Sequence, residues 1–360
     1  YRAHMLTPGQ HYSFAYGDGG NGTYYFANFL FYLVSRYQNG YMQALMDKAY
    51  DAVPGSFIYN AWNFLWWDPG LERKPINDIK TYRYFDDMEI AAFRSGWDAS
   101  DTAVLFKCGP YGGHRANEMR NGRYINVAHD RPDANSFTIY SNGEFLITHG
   151  NHATSTDRYA RDHNSLLVDG QGLVSDCQGW SQPFSGMESM GRIIDYHGSP
   201  GYGFAVGESG EYYASLDSFR RSLVFVDNSF YAIHDVVQAK QDATLDWVFH
   251  GPPDFTSSGG NSYKINKNNA SLTLHIFSPI ELAGSLSSKK EGERTMLALK
   301  TKNKLTGAEL YGVFIPNNSD EKVLYMDSDS CYGLKVTGET TNILLFAKQG
   351  YIQYADYSIN

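Results

Sequence analysis

His129-Asp-Arg-Pro-Asp-Ala-Asn-Ser-Phe-Thr-Ile-Tyr-Ser-Asn-Gly-Glu-Phe-Leu-Ile147 sets a histidine, an arginine, two aspartates and an asparagine directly in front of an apolar strand. A second polar knot, Tyr159-Ala-Arg-Asp-His-Asn164, runs straight into another strand, Ser165-Leu-Leu-Val-Asp-Gly170. Two clusters of the same residue types, each capping a strand, build a site on a rigid sheet instead of on a loop. Such groups can hold an acidic substrate and move a proton on it.

Working outward from this pair, most of the chain after residue 85 reads as strand. Ala103–Lys107, Phe137–Tyr140, Leu166–Val168, Leu223–Val226 and Tyr231–Val237 are short apolar runs, continued by Leu310–Ile315 and Ile343–Phe346. Leu245/Trp247/Phe249 and Leu272/Leu274/Ile276 alternate with polar partners, as half-buried strands do. Asn, Gly, Asp and Ser clusters separate the runs, which predicts a large antiparallel sandwich.

The first eighty residues read differently. Tyr25, Phe26, Phe29, Leu30, Leu33, Val34 and Tyr37 recur at helical spacing, as do Met42, Leu45, Met46, Ala49, Tyr50 and Val53. Pro54-Gly55 stops the second helix. Ile58, Trp62, Leu65 and Trp66 predict a third, ended by Asp68-Pro69-Gly70. The glycine-rich turn Tyr16–Gly22 is not a phosphate loop, because no strand precedes it and no Gly-Lys-Ser/Thr follows. The pattern breaks between Leu71 and about Phe85. The expected fold class is therefore α+β, with a helical segment over residues 1–80 and a β-sandwich over residues 81–360.

A chain of 360 residues can bury a large core in one or two domains. Its 42% hydrophobic and 19% charged residues make it globular and not disordered. The 28 tyrosines and 21 phenylalanines fit either an aromatic-rich sheet core or a cleft that stacks sugar rings. A net charge of −9 argues against a nucleic-acid partner. An acidic polymer can still bind where cations are concentrated locally, as Arg115, Arg120, Arg123, Arg131, Arg158 and Arg161 are. Cys108, Cys177 and Cys331 allow at most one disulfide and leave a thiol over. No stretch is apolar and long enough to cross a membrane. The start at Tyr1, with neither methionine nor signal peptide, reads as a processed or truncated chain.

Four constellations carry possible chemistry. His129 is a candidate general base, or a partner for a substrate carboxylate; the plainer reading ties it to Asp133. His149, His152 and His163 could contribute to a zinc site, or could orient other groups by hydrogen bonding. Arg131, Arg158 and Arg161 could clamp a carboxylate or sulfate, or pair with Asp130, Asp157 and Asp162. Tyr159, set among charges, could serve as acid or base. No Gly-x-Ser-x-Gly elbow occurs, and paired carboxylates cannot be placed from spacing, which leaves a glycosidase open.

The motifs His129-x-Arg131-Pro-Asp133-Ala-Asn135-x-Phe137, Asn142-Gly143-Glu-Phe-Leu and Asp162-His163-Asn164-Ser-Leu-Leu-Val-Asp-Gly170 together resemble those of the heparinase II/III-like polysaccharide lyases, which include alginate and oligoalginate lyases. Phe93-Arg-Ser-Gly-Trp97 is similar to that family's first sheet strand, and Tyr16-Gly-Asp18 to the end of its helical part. The resemblance implies an α/α toroid followed by an antiparallel β-sandwich, with a uronate polysaccharide cleaved by β-elimination in the cleft between them. It implies that His129 faces a catalytic tyrosine and that His163 matches a histidine that binds structural zinc in several members. Three departures stand out. The second motif histidine is Arg131 here. The metal-binding aspartate has no clear match, and His149 stands near its place. A toroid needs about ten or more helices of ordinary length, and the sequence shows three.

The sequence therefore predicts the C-terminal piece of a lyase for an anionic polyuronate, with an N-terminal helical fragment as its partner and alginate preferred over a glycosaminoglycan. His129 and Tyr159 are the catalytic candidates. Arg131, Arg161, Asn164 and Asp18 are expected to bind or orient substrate, and His149 and His163 to hold a zinc if one is present. A secreted or periplasmic location follows from the substrate alone. The rival reading is a non-catalytic carbohydrate-binding sandwich.

Overall fold

A computed structural model describes residues 1–14, 28–52, 61–120, 130–148, 159–176, 191–289, 294–317, 322–338, 341–347 and 352–354. Three helices, α1 (Asn28–Tyr37), α2 (Gly40–Ala52) and α3 (Ala61–Trp66), precede the sheets. Phe31 and Val34 of α1, three residues apart and so on one face, bury against Leu45 and Met46 of α2 and against Leu71 and Trp97. The Asn39 side chain accepts the Met42 N–H at 3.1 Å and caps the start of α2.

The first sheet is an antiparallel meander of five strands, β1 (Tyr82–Phe85), β2 (Ile90–Arg94), β3 (Thr102–Lys107), β4 (Ser136–Ser141) and β5 (Glu144–Ile147). A helix, α4 (Gly113–Arg120), interrupts it between β3 and β4. The remaining strands, in chain order, are β6 (Leu166–Val168), β7 (Arg192–Ser199), β8 (Tyr202–Glu208), β9 (Leu216–Val226), β10 (Phe230–Ala243), β11 (Leu245–Gly251), β12 (Phe255–Gly259), β13 (Ser262–Lys267), β14 (Ala270–Phe277), β15 (Leu282–Lys289), β16 (Arg294–Thr301), β17 (Leu305–Pro316), β18 (Lys322–Asp327), β19 (Cys331–Thr337), β20 (Thr341–Ala347) and β21 (Ile352–Tyr354). Eight of them form a central sheet in the order β12-β13-β14-β17-β10-β9-β8-β7. Two four-stranded sheets, β15-β16-β11-β6 and β18-β19-β20-β21, complete the architecture.

The unbroken apolar runs are explained by sheets buried on both faces. In β9, Leu223 and Phe225 enter the main core with Phe93, Phe106 and Phe137 of the first sheet. The alternate residues Val224 and Val226 enter a second core with Leu334, Val336, Leu344 and Phe346 of the last sheet. The first sheet repeats the arrangement: Ala91, Phe93, Val104 and Phe106 face the main core, whereas Ile90, Ala92, Ala103 and Leu105 pack on Met5 and Phe14.

Two expectations need correction. The first eighty residues are not uniformly helical, because residues 1–14 form two short 3-10 turns that cover the outer face of the first sheet. Strand β1 begins just after residue 80 and pairs with β2. Helix α4 falls where strands were expected; its sequence, Gly-His-Arg-Ala-Asn-Glu-Met-Arg, carries little apolar signal of either period.

Candidate functional site

The two polar knots lie side by side at the entries of β4 and β6. The first turns tightly: the Asp133 N–H donates to the Arg131 carbonyl at 2.8 Å and the Ser136 N–H to the Asp133 carbonyl at 3.0 Å. Asn135 follows in the left-handed region at φ 57°, a conformation asparagine tolerates better than most residues. Its amide donates to Ser209 Oγ at 2.9 Å and to the Phe219 carbonyl at 3.0 Å. Gly207 makes room for it, since a Cβ there would lie 2.1 Å from Asn135 Oδ1.

The second knot closes on itself through Asp162 N–H to the Tyr159 carbonyl at 2.9 Å and His163 N–H to the Ala160 carbonyl at 3.0 Å. Asn164 ties the knots together. Its Nδ2 donates to the Phe137 carbonyl at 2.7 Å and the Thr148 carbonyl at 2.9 Å. Its Oδ1 accepts the His250 N–H at 2.7 Å, and its own N–H donates to Ser136 Oγ at 3.2 Å. Asn164 is fully buried, and its side chain orients the neighbouring segments.

Beneath both knots sits Arg221 of β9. Its Nη1 donates to the Asn135 and Asn164 carbonyls, at 2.6 Å each. Its Nε and Nη2 grip both carboxylate oxygens of Asp235 on β10, at 2.8 and 2.6 Å. Both side chains are 0% exposed, and the bidentate fork is the geometry in which a buried arginine is best satisfied. One guanidinium thereby fixes the spacing of the two motif segments from the central sheet.

A second buried pair anchors the outer edge. Lys107 Nζ lies 2.5 Å from Asp133 Oδ1, with 2% and 4% of the side chains exposed. Burial opposes the Lys107 charge, but Asp133 and Asp130 outweigh it and its pKa rises. Asp130 accepts the Gly112 N–H at 2.5 Å; burial raises its pKa, Lys107 opposes the rise and Asp133 adds to it. On the inner side, Asp176 accepts the Ala160 N–H at 2.9 Å. Burial, opposed by that N–H and reinforced by Asp162, pushes Asp176 up to about 6.

Arg161 is the exposed cation of the group. Its guanidinium lies 4.5 Å from the Tyr159 ring centroid, a cation–π contact that holds the charge without neutralising it. His250 Nε2 meets the Arg161 carbonyl at 2.9 Å and fixes the backbone below. Arg131, by contrast, is 4% exposed and donates to the Asp130 carbonyl at 3.0 Å. Tyr159, Arg131, Arg161, His163 and Asn164 are thus brought together. Asp133, weighed as a partner for His129, is engaged by Lys107. His129, Arg158, His149, His152 and Asp18 lie outside the described residues.

His163 is 1% exposed. Among the described residues no group of three or more His, Cys, Asp or Glu is placed to hold a metal ion. The described residues alone therefore do not furnish a zinc ligand set. Among the described residues, no helix is long and apolar enough to cross a membrane.

Sequence reasoning missed Lys107, Arg221, Asp235, His250 and Asp176. A signal existed for three of them: Lys107 ends an apolar run, Asp235 interrupts another, and Arg221 precedes a third. A charge inside a run that must be buried needs a partner.

The fold has clear counterparts. A heparinase III gene product matches with a TM-score of 0.61 at 15% identity over 99% of this chain and 51% of that one. The heparan sulfate lyase HepC from Pedobacter heparinus matches with a TM-score of 0.65 at 13% identity, over 97% of this chain and 52% of that one. The chain thus spans about half the length of these proteins. The family model described as Heparinase II/III-like, C-terminal, matches residues 80–305, which span β1–β16 and both knots. The chain belongs to the heparinase II/III-like family through this C-terminal domain.

Proposed function

We propose that this chain is the sandwich-bearing part of a polysaccharide lyase that cleaves a uronate polymer by β-elimination. The observation that carries the reading is the pairing of two strand-entry knots on one buried arginine, with exposed Arg161 beside Tyr159 at their surface. Elimination needs three things at one place: neutralisation of the C5 carboxylate, a base for H5 and an acid for the leaving O4. Arg161 supplies the positive charge. His129, one residue before the anchored Asp130, exchanges the proton, and Tyr159 is the second acid–base candidate. Arg131, Asn164 and Arg221 keep these groups in register.

The three helices read as the end of an α/α toroid. An N-terminal helical part of the same protein completes the cleft, and the length of the similar structures supports this. Alginate is the first substrate to test, because no lysine-rich run suited to sulfate occurs in the sequence. Heparan sulfate is the second, because a protein of this fold bears that name. Action on such polymers goes with a secreted or periplasmic location.

The test is turnover of each polymer by the full-length gene product, followed by the ultraviolet absorbance of the unsaturated uronate. A rise that vanishes in His129→Ala, with polymer binding retained, is expected. Binding without any rise would make the domain a carbohydrate-binding sandwich. Cleavage without the double bond would make it a hydrolase.

A further inference from the structure

A cavity of about 370 Å³ opens where the helices meet the first sheet, away from the two knots. Its volume falls in the range of about 300–1,000 Å³ typical of ligand sites. It lies between the start of α2, which contributes Tyr41, the linker, which contributes Asp78 and Lys80, and β1, which contributes Arg83 and Phe85. His4 forms part of its wall.

The lining is chemically specific. Lys80 and Arg83 are exposed, and neither makes an ion pair among the described residues. Each lies over an aromatic ring, Lys80 5.6 Å from the Tyr82 centroid and Arg83 6.0 Å from that of Phe85. Such contacts position a charge without cancelling it. With Asp78 as the acid on the rim, the mouth carries an excess of positive charge. Tyr41 and Phe85 add apolar surface to the lining.

His4 is 6% exposed, and its Nδ1 has no hydrogen-bond partner among the described residues. Burial and the neighbouring Arg94 push its pKa down to about 2, so it stays neutral and can hydrogen-bond to a hydroxyl without charge. Tyr1 reaches from the cavity toward the first knot. It lines the cavity and packs edge-on against Phe85 at 5.1 Å, while its phenol lies within electrostatic reach of Lys107 and Asp130.

We propose that this cavity is a binding subsite for an anionic sugar residue of the polymer, with Lys80 and Arg83 meeting its carboxylate or sulfate and the wall of Tyr41, Phe85 and His4 enclosing the rest of the residue. The proposal rests on the lyase reading for the identity of the polymer. It assigns the linker between helices and sheet a role in substrate recognition.

The test uses the full-length protein with Lys80→Gln and Arg83→Gln combined, both at exposed positions, and confirms the fold by an unchanged thermal midpoint. Calorimetry with an unsulfated oligouronate tetrasaccharide and with a heparan sulfate tetrasaccharide measures binding, and polymer turnover is measured in parallel. The expected result is that the double variant loses about tenfold or more in affinity for one tetrasaccharide, with KM raised and kcat changed far less. Loss with the unsulfated probe identifies a carboxylate subsite, and loss with the sulfated probe alone a sulfate subsite. Unchanged affinity for both, or no binding by the parent protein, overturns the subsite. Absence of turnover by the parent protein overturns the lyase reading instead, and the binding result still decides the cavity.

Discussion

Among the described residues two arginines are completely buried, and they are held in opposite ways. Arg221, under the two knots, has a carboxylate gripped by two nitrogens and two carbonyls on a third. Arg94, at the junction of the N-terminal turns with the first sheet, donates to the His4 carbonyl at 2.8 Å and lies 3.8 Å from the Trp97 ring centroid. Its Nε and Nη1 have no hydrogen-bond partner among the described residues, and burial lowers its pKa. The first arrangement specifies geometry, because each donor has one acceptor and movement breaks several bonds together. The second fills space and tolerates displacement. Hydrogen-bonded fixation is therefore concentrated beneath the knots and relaxed where the N-terminal turns meet the first sheet.

That contrast makes measurable predictions. Arg221→Met should cost most, about 3–5 kcal/mol, since it strands Asp235 uncompensated in the core. Urea unfolding would show it, and Arg221→Met combined with Asp235→Leu should recover a large part. A single-variant loss below about 1 kcal/mol would remove the clamp from the account. Lys107→Met should come next, at about 3 kcal/mol, for the same reason at Asp133; the drop in thermal midpoint measures it.

Among the described residues Asp176 has no countercharge bonded to it, so its effect runs the other way. Its folded pKa of about 6 lies above the ordinary aspartate value. The stability it contributes is present in full at acid pH and is lost as pH rises through about 6. Asp176→Asn keeps an acceptor for the Ala160 N–H. It should flatten that decline and stabilise the protein by about 1–2 kcal/mol at neutral pH. Urea midpoints across the acid range, compared between the two proteins, check the sign. Arg94→Met should move stability least, within about 1 kcal/mol, because one hydrogen bond and a cation–π contact are offset by relief of desolvation. A cost like that of Arg221→Met would show the two arginines to be equivalent and the contrast to be empty.

Local pattern was enough to identify the most apolar strands. Ala103–Lys107, Leu223–Val226, Tyr231–Val237 and Leu310–Ile315 all fall inside observed strands, because an apolar run bounded by turn residues has few other ways to bury itself. The same reasoning failed for α4 and for residues 1–14, whose short segments carry no periodic signal and take their conformation from what they pack against.

By itself the sequence determined the antiparallel sheets, the α-then-β order of the chain and the two polar knots, since period and residue type are local properties that survive without a fold. Only the tertiary structure decided which polar residues work as scaffold. Asn164 and Arg131, read as ligand-binding side chains, are turned inward, and exposed Arg161 is left at the surface. Arg221 and Asp235, which the sequence places in two different apolar strands, become the clamp under both knots. Those roles depend on which strands lie side by side. Register between segments far apart in the chain is set by the burial of whole sheet faces, a property of the packed core that no single motif contains.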